Sequence, residues 1–259
     1  MANAEAGQGA PEAGARGVWS SIAGVFTDPG ATFAAVSAAA SVPDPADATK
    51  TKDGSRWWVP VLIVIVASVI VTAYTVPNIV MPEQARHIRE AVMERGGTAE
   101  QAEQAIRMGT AVGLPMGMVS AAVGTLIFVL VGAGLLHLLM GLVGGKGTFR
   151  RSRAVFSYAI VISALASIVK LPLMAARKTL FVETGPTLFF RNLEPSDRLY
   201  RFLSGFDIFT LWLVAVLVIG YAAAYRLPPR KAAIIVVGLW LLLTCLAPFL
   251  PGGGMFRAS

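Results

Sequence analysis

The chain is poor in charge. Asp, Glu, Lys and Arg make up only 14% of its 259 residues, against about 25% in a soluble domain. So few cannot build a water-exposed surface, which excludes a soluble globular protein unless lipid replaces water over much of it. Acids are scarcer than bases, 15 against 22. In a soluble chain that imbalance would suggest nucleic acid, but no basic stripe with interleaved aromatics occurs. The cations instead flank apolar segments, where positive-inside placement and anionic headgroups account for them. Cysteine occurs once, as Cys245 within an apolar run, so there is no internal disulfide and no thiolate metal cluster. Histidine occurs only as His87 and His137, expected on opposite sides of a membrane, where they cannot share a metal ion. Residues 1–16 have no apolar core and carry acids, so they are not a cleavable signal peptide, and the first apolar run is expected to do the targeting and stay. No nucleophile–base pair, carboxylate dyad or Cys/His cluster appears. The sequence is read as non-enzymatic, with no cofactor and no metal.

Long hydrophobic runs are what the chain does have. Hydrophobic residues make up 55% of it and the mean hydropathy is +0.66. Five runs, about 57–77, 113–143, 154–175, 206–225 and 232–250, each suffice to cross a bilayer core, which takes about 20 residues of helix. The expected fold is an all-α membrane protein, a five-span transmembrane helix bundle over 57–250. Trp57 and Trp58 open the first run where indoles favour the headgroup level. Pro60 sits in its first turn, and Pro77 and Pro82 are expected to bracket its far end. Residues 83–109 then predict a helical hairpin outside the bilayer. Its first helix stops at Gly96-Gly97, and Thr98 starts the second with Gln101 at capping-box spacing. The second run exceeds what a bilayer needs, so it is expected to tilt or to begin before the membrane.

Ahead of the spans, residues 1–16 read as a disordered tail, 17–40 as amphipathic membrane-surface helices and 41–56 as a linker rich in Pro, Asp and Lys; 251–259 form a C-terminal tail. Val18, Trp19, Ile22, Val25 and Phe26 recur at helical spacing. Thr27-Asp28-Pro29 then marks a break and a new start, with Phe33 and Val36 on the next apolar face. Two arrangements remain open for this segment: lying in the plane of the membrane surface, or packing on the bundle's own end.

Charge density sets the expected orientation. Gly144–Arg153 carries Lys146, Arg150, Arg151 and Arg153 with no acid, and the 226–231 turn carries Arg226, Arg230 and Lys231 with none. Lys50, Lys52 and Arg56 precede the first span. The opposite loops, 81–112 and 176–205, hold four and five Lys/Arg, but they are longer and the cations are mixed with acids. Density close to the span ends places the N-terminus in the cytoplasm and the C-terminus outside.

Three stretches resemble the Ypt-interacting-protein (YIP) domain family, in its bacterial branch. Leu203-Ser204-Gly205-Phe206-Asp207-Ile208-Phe209-Thr210-Leu211-Trp212 is similar to the family's opening of the fourth span. Gly144-Gly145-Lys146-Gly147-Thr148-Phe149-Arg150, followed by Ala154-Val155-Phe156-Ser157-Tyr158-Ala159, resembles its Gly-Gly-Lys-Gly turn between spans two and three. Val25-Phe26-Thr27-Asp28-Pro29 with Phe33 is similar to its pre-membrane segment. The sequence departs in carrying Phe206 where leucine is usual and in lacking a proline near Ile162. The resemblance implies a five-span bundle with a cytoplasmic N-terminus. Eukaryotic members are implicated in vesicle trafficking and bind prenylated small GTPases; for the bacterial branch no settled activity is implied.

Ionisable groups within spans are expensive and so stand out. His137, Lys170 and Asp207 qualify. Lys170 lies late in the third span and Asp207 opens the fourth, so both fall at similar depth and are expected to form an ion pair or share a polar site. The alternative is a snorkelling lysine and a simple helix cap. Pro172, two residues after Lys170, adds weight to that neighbourhood. His137 reads as a hydrogen-bonded packing residue, with proton sensing as the alternative. Gly113, Gly117, Ala121 and Gly124 set small residues on one face of the second span, a helix-packing face for a neighbour in the same chain or in a second protomer. Gly144-Gly145-Lys146-Gly147 lacks the strand, the spacing and the Lys-Ser/Thr pair of a phosphate loop.

The leading functional reading is a non-enzymatic membrane organiser or adaptor whose partners are membrane lipids and a protein at the cytoplasmic face. The second is a transporter or channel for an ion or small solute using the Lys170–Asp207 region, though no internal repeat among the spans supports it. An enzyme acting on lipid comes third.

Overall fold

A backbone in lipid must satisfy its own hydrogen bonds, so apolar runs become helices. The computed structural model describes residues 17–44, 47–182, 184–190, 192–194 and 197–249; the tails read at 1–16 and 251–259 lie outside these. Five helices are long and apolar enough to cross a membrane: Trp58–Glu94, Ala99–Leu142, Phe149–Arg177, Ile208–Tyr225 and Pro229–Phe249. The expected helical protein with five apolar spans is therefore present.

Before them come α1 (Val18–Thr27) and α2 (Pro29–Ala39). Asp28 starts α2 by accepting the Ala31 N–H at 3.1 Å, with Pro29 in the first turn where no donor is missed. Val25, Phe33, Val36 and Ala40 are buried in the main apolar core. A Cβ added to Gly220 would approach Val155 to 2.6 Å and the Phe33 ring to 3.1 Å, so this glycine is what lets α2 seat. Val25, Phe33, Val36 and Ala40, with Ile22 and Phe26 packed beside them, face the bundle, while Trp19 is exposed. The segment read as a linker contains a β-hairpin, β1 (Val42–Asp44) antiparallel to β2 (Asp47–Lys52), with Val42 opposite Lys52. Pro43 is tolerated because a two-stranded ribbon has free edges that need no donor.

The first span, α3 (Trp58–Thr75), does not end at Pro77. It widens through a π turn at Val76–Val80 and continues as α4 (Met81–Glu94). A wide turn accommodates a residue that lacks an N–H and crowds the preceding carbonyl, so the two prolines are absorbed rather than acting as stops. Gly96, at φ +75°, supplies the left-handed residue that ends α4. Thr98 and Gln101 form the expected reciprocal capping box, and α5 runs unbroken from Ala99 to Leu142. Its 44 residues span about 66 Å at 1.5 Å per residue, roughly twice a bilayer core. The surplus is its polar beginning, which pairs with α4 through buried Ala102 and an Arg89–Glu103 ion pair.

The third span is broken without a proline: α6 (Phe149–Ala159) and α7 (Val161–Arg177) meet at Ile160. A short α8 (Arg198–Leu203) precedes α9 (Ile208–Tyr225) and α10 (Pro229–Leu246). Arg226 ends α9 in the left-handed region at φ +54°, and Pro228 blocks its continuation. The helices alternate in direction, so the β-hairpin and the 143–148 and 226–228 turns share one end, here called the basic end. The α7–α9 loop lies at the other.

Candidate functional site

Lys170 projects from α7 and Asp207 caps α9. Lys170 Nζ donates to Asp207 Oδ2 at 2.7 Å. The Phe209 and Thr210 N–H groups donate to Oδ1 at 2.9 and 3.4 Å, and the Thr184 hydroxyl donates to Oδ2. The two side chains are 21% and 10% exposed. A carboxylate offers about four lone-pair positions, and four donors occupy them here. Asp207 also places negative charge at the positive end of the α9 dipole. Lys170 Nζ lies 5.8 Å from the Phe209 ring centroid, which shields it further. Pro172 lies within α7 without ending it. The arrangement is a closed clasp joining α7, the following loop and α9. Thr184 gave no signal in the sequence, because a polar residue in an irregular loop has no periodicity to mark it.

His137 lies toward the other end, with Nδ1 2.6 Å from the Tyr225 hydroxyl and its ring 6.0 Å from that of Phe149. Beside it, the Ser152 hydroxyl donates to the Ala133 carbonyl at 2.6 Å and accepts from the Tyr221 hydroxyl at 2.7 Å. These bonds tie α5, α6 and α9 together. Among the described residues no group of His, Cys, Asp and Glu is placed to hold a metal ion.

The small-residue face of α5 is divided. Gly113 packs against Met81, and a Cβ on Gly117 would lie 3.3 Å from Thr72, so these two admit the neighbouring α3–α4 helix of the same chain. Ala121 is half-buried, whereas Gly124 faces open space. Approaches as close as that at Gly113 also occur where spacing did not point. A Cβ on Gly132 would strike the Phe156 ring, and one on Gly147 would come within 2.6 Å of the Tyr225 ring.

At the basic end, α6 holds the β-hairpin and its flanks through three arginines read in the sequence as orientation charges, and through Tyr158. Arg153 donates to Asp53 Oδ2 at 2.7 Å and lies 4.2 Å from the Trp57 ring centroid. Arg150 donates to the Thr51 carbonyl, Arg151 Nε to Ser41 Oγ at 3.3 Å, and the Tyr158 hydroxyl to the Ser55 carbonyl at 3.0 Å. Asp53 itself accepts the Ser55 N–H and hydroxyl at 3.0 and 2.6 Å, a turn the Asp-Gly-Ser sequence favours.

Burial raises the Asp53 pKa, but the Ser55 donors and Arg153 outweigh it and hold the carboxyl below its ordinary value. Its stabilising contribution is therefore full above the unfolded pKa, near 4, and is lost as pH falls through the lower folded value. Asp53→Asn is expected to loosen the hairpin at neutral pH by about 1–2 kcal/mol and to flatten this acid dependence. Limited proteolysis of the 41–56 segment across pH 3–7 (a range about the carboxylate pKa) reads both effects. Equal acid sensitivity in wild type and variant would remove Asp53 from the account.

The 143–148 and 226–228 turns are joined by the Lys146 N–H donating to the Tyr225 carbonyl at 3.0 Å. Around them Lys52, Arg56, Lys146, Arg150, Arg226, Arg230 and Lys231 are exposed. The sequence profile of the Yip1 domain matches residues 23–250. The chain belongs to the Yip1 domain family. No curated protein and no solved structure matches it. With five apolar helices, this Yip1 protein is a multi-pass membrane protein. The Yip1 match begins within α1 and reaches past α10, so it includes the second half of α1 and all of α2 as well as the spans. The three stretches that carry the resemblance form the α1–α2 joint, the turn bonded to Tyr225 and the loop with the Asp207 cap.

Proposed function

We propose that this Yip1 protein is a non-enzymatic membrane organiser or adaptor of a bacterial cytoplasmic membrane, oriented with its N-terminus and basic end inside. The saturation of Asp207 carries the reading. The intramembrane acid that would serve a solute pathway accepts four hydrogen bonds from its own chain and has no acceptor left for a passing cation. The basic end, by contrast, presents seven exposed cations on a braced platform of turns and hairpin. Its working contacts are anionic lipid headgroups and an acidic protein surface at the cytoplasmic face.

Reconstitution separates this from transport. Neutralising Lys146, Arg226, Arg230 and Lys231 to Gln together is expected to lower the anionic phospholipid retained by the purified protein, measured by mass spectrometry. Vesicles holding the wild type are expected to show no ion flux beyond empty vesicles. An ion conductance that Asp207→Asn abolishes in a folded protein would establish the transporter reading instead.

A further inference from the structure

The α7–α9 loop carries large apolar side chains on a fixed platform. Thr184 donates to Asp207, and Gly185 sits so close to Phe206 that a Cβ there would be 2.8 Å from its carbonyl oxygen. Thr187 is buried. The Leu188 N–H donates to the Gly185 carbonyl and the Phe190 N–H to the Thr187 carbonyl, each at 3.1 Å, closing a 3-10 turn over Pro186–Phe189. This turn holds Phe189 at 85% exposure, with Leu188 at 48% and Phe190 at 47%. Phe181 and Phe249 are exposed at the same end.

Each large apolar side chain left in water forgoes roughly 1.5–3 kcal/mol of burial. A flexible loop would fold such groups inward, whereas this one is pinned with them outward. The pin is Asp207, the cap of a membrane-spanning helix, so the turn stands at the bilayer boundary. Apolar exposure continues from it down α9 through Ile208 and Leu211 and down α7 through Leu173 and Val169. Arg177, Lys178 and Arg198 are exposed at the same end, where cations meet headgroup phosphates and aromatics the acyl boundary.

We infer that the Pro186–Phe189 turn is a membrane-interface anchor: Leu188, Phe189 and Phe190 insert into the headgroup–acyl boundary of the adjacent leaflet and fix the depth of α9. The Lys170–Asp207–Thr184 clasp is its seat.

Cys245→Ser removes the chain's one cysteine, so a single nitroxide can then be attached through Phe189→Cys. Met93→Cys, at the exposed end of α4, gives a comparison label outside the bilayer. Both proteins are reconstituted at low protein-to-lipid ratio in phosphatidylcholine–phosphatidylglycerol vesicles. The label at 189 is expected to show higher oxygen accessibility and lower accessibility to a polar nickel chelate than the label at 93. Thr184→Val is expected to return the label at 189 toward chelate accessibility by releasing the seat. Chelate accessibility at 189 equal to that at 93 would overturn the anchor. Spin–spin broadening at 189 would also overturn it, because the turn would then be meeting a second copy. Phe189 is almost fully exposed, so its replacement spares the fold, and elution as a single monodisperse species confirms this for each variant.

Discussion

Replacing Asp207 by alanine is expected to destabilise the bundle by about 3 kcal/mol. The change leaves Lys170 without its counter-charge in a site where it is mostly buried, which is strongly destabilising, and removes the α9 N-cap, worth about 1 kcal/mol. Asp207→Asn keeps a competent cap and isolates the charge. Lys170→Met alone strands the carboxylate, while Lys170→Met with Asp207→Asn removes both charges and is expected to recover part of the loss. Unfolding free energies of the four proteins in a common detergent, compared as a double-mutant cycle, measure the coupling. Additive losses would show that lysine and aspartate act separately, as a snorkelling cation and a simple cap.

The second large effect is expected at Phe33. Its ring is fully buried between α2, Val155 and Gly220, and truncating a buried phenylalanine to alanine costs about 3–5 kcal/mol. Phe33→Ala should therefore undock α1 and α2 from α6 and α9 while the spans, held by lipid and by one another, stay helical. Faster proteolysis between Ala39 and Trp57 with unchanged helical circular dichroism is the expected result. An unchanged cleavage rate would mean that Val25, Val36 and the β-hairpin hold the segment without the ring.

The five apolar helices were legible because burial in lipid leaves a one-dimensional record: uninterrupted apolar length. The capping box at Thr98 and Gln101 was legible for a similar reason, since it is local and set by spacing. Lys170 and Asp207 could be brought together by depth alone, because alternating spans return to the same level. Thr184 and the seated turn after it could not, as loops follow tertiary contacts. The prolines misled at Pro77 and Pro82, since a π turn absorbs what an α-helix rejects. Arg150, Arg151 and Arg153 read as charge alone in the sequence, yet their bonds to Thr51, Ser41 and Asp53 hold the two ends of a hairpin within the supposed linker. Glycine spacing pointed to Gly113–Gly124, while Gly132, Gly147 and Gly220 admit the bulkier rings of Phe156, Tyr225 and Phe33; a glycine's neighbour is written in another helix's sequence.

The helix from Ala99 to Leu142 has a mechanical meaning beyond its length. It is one continuous helix with a proline, Pro115, inside it, running from the turn after α4 to the turn bonded at Tyr225. Its antiparallel companion has a softer place, the π turn at Val76–Val80, of the kind where helices bend. Pro115 lies between Gly113, which meets Met81, and Gly117, which meets Thr72 and Val76, so the two rods have their softer places at one level. A load on the tip formed by α4 and the start of α5 therefore meets a bendable place in both helices at the same height.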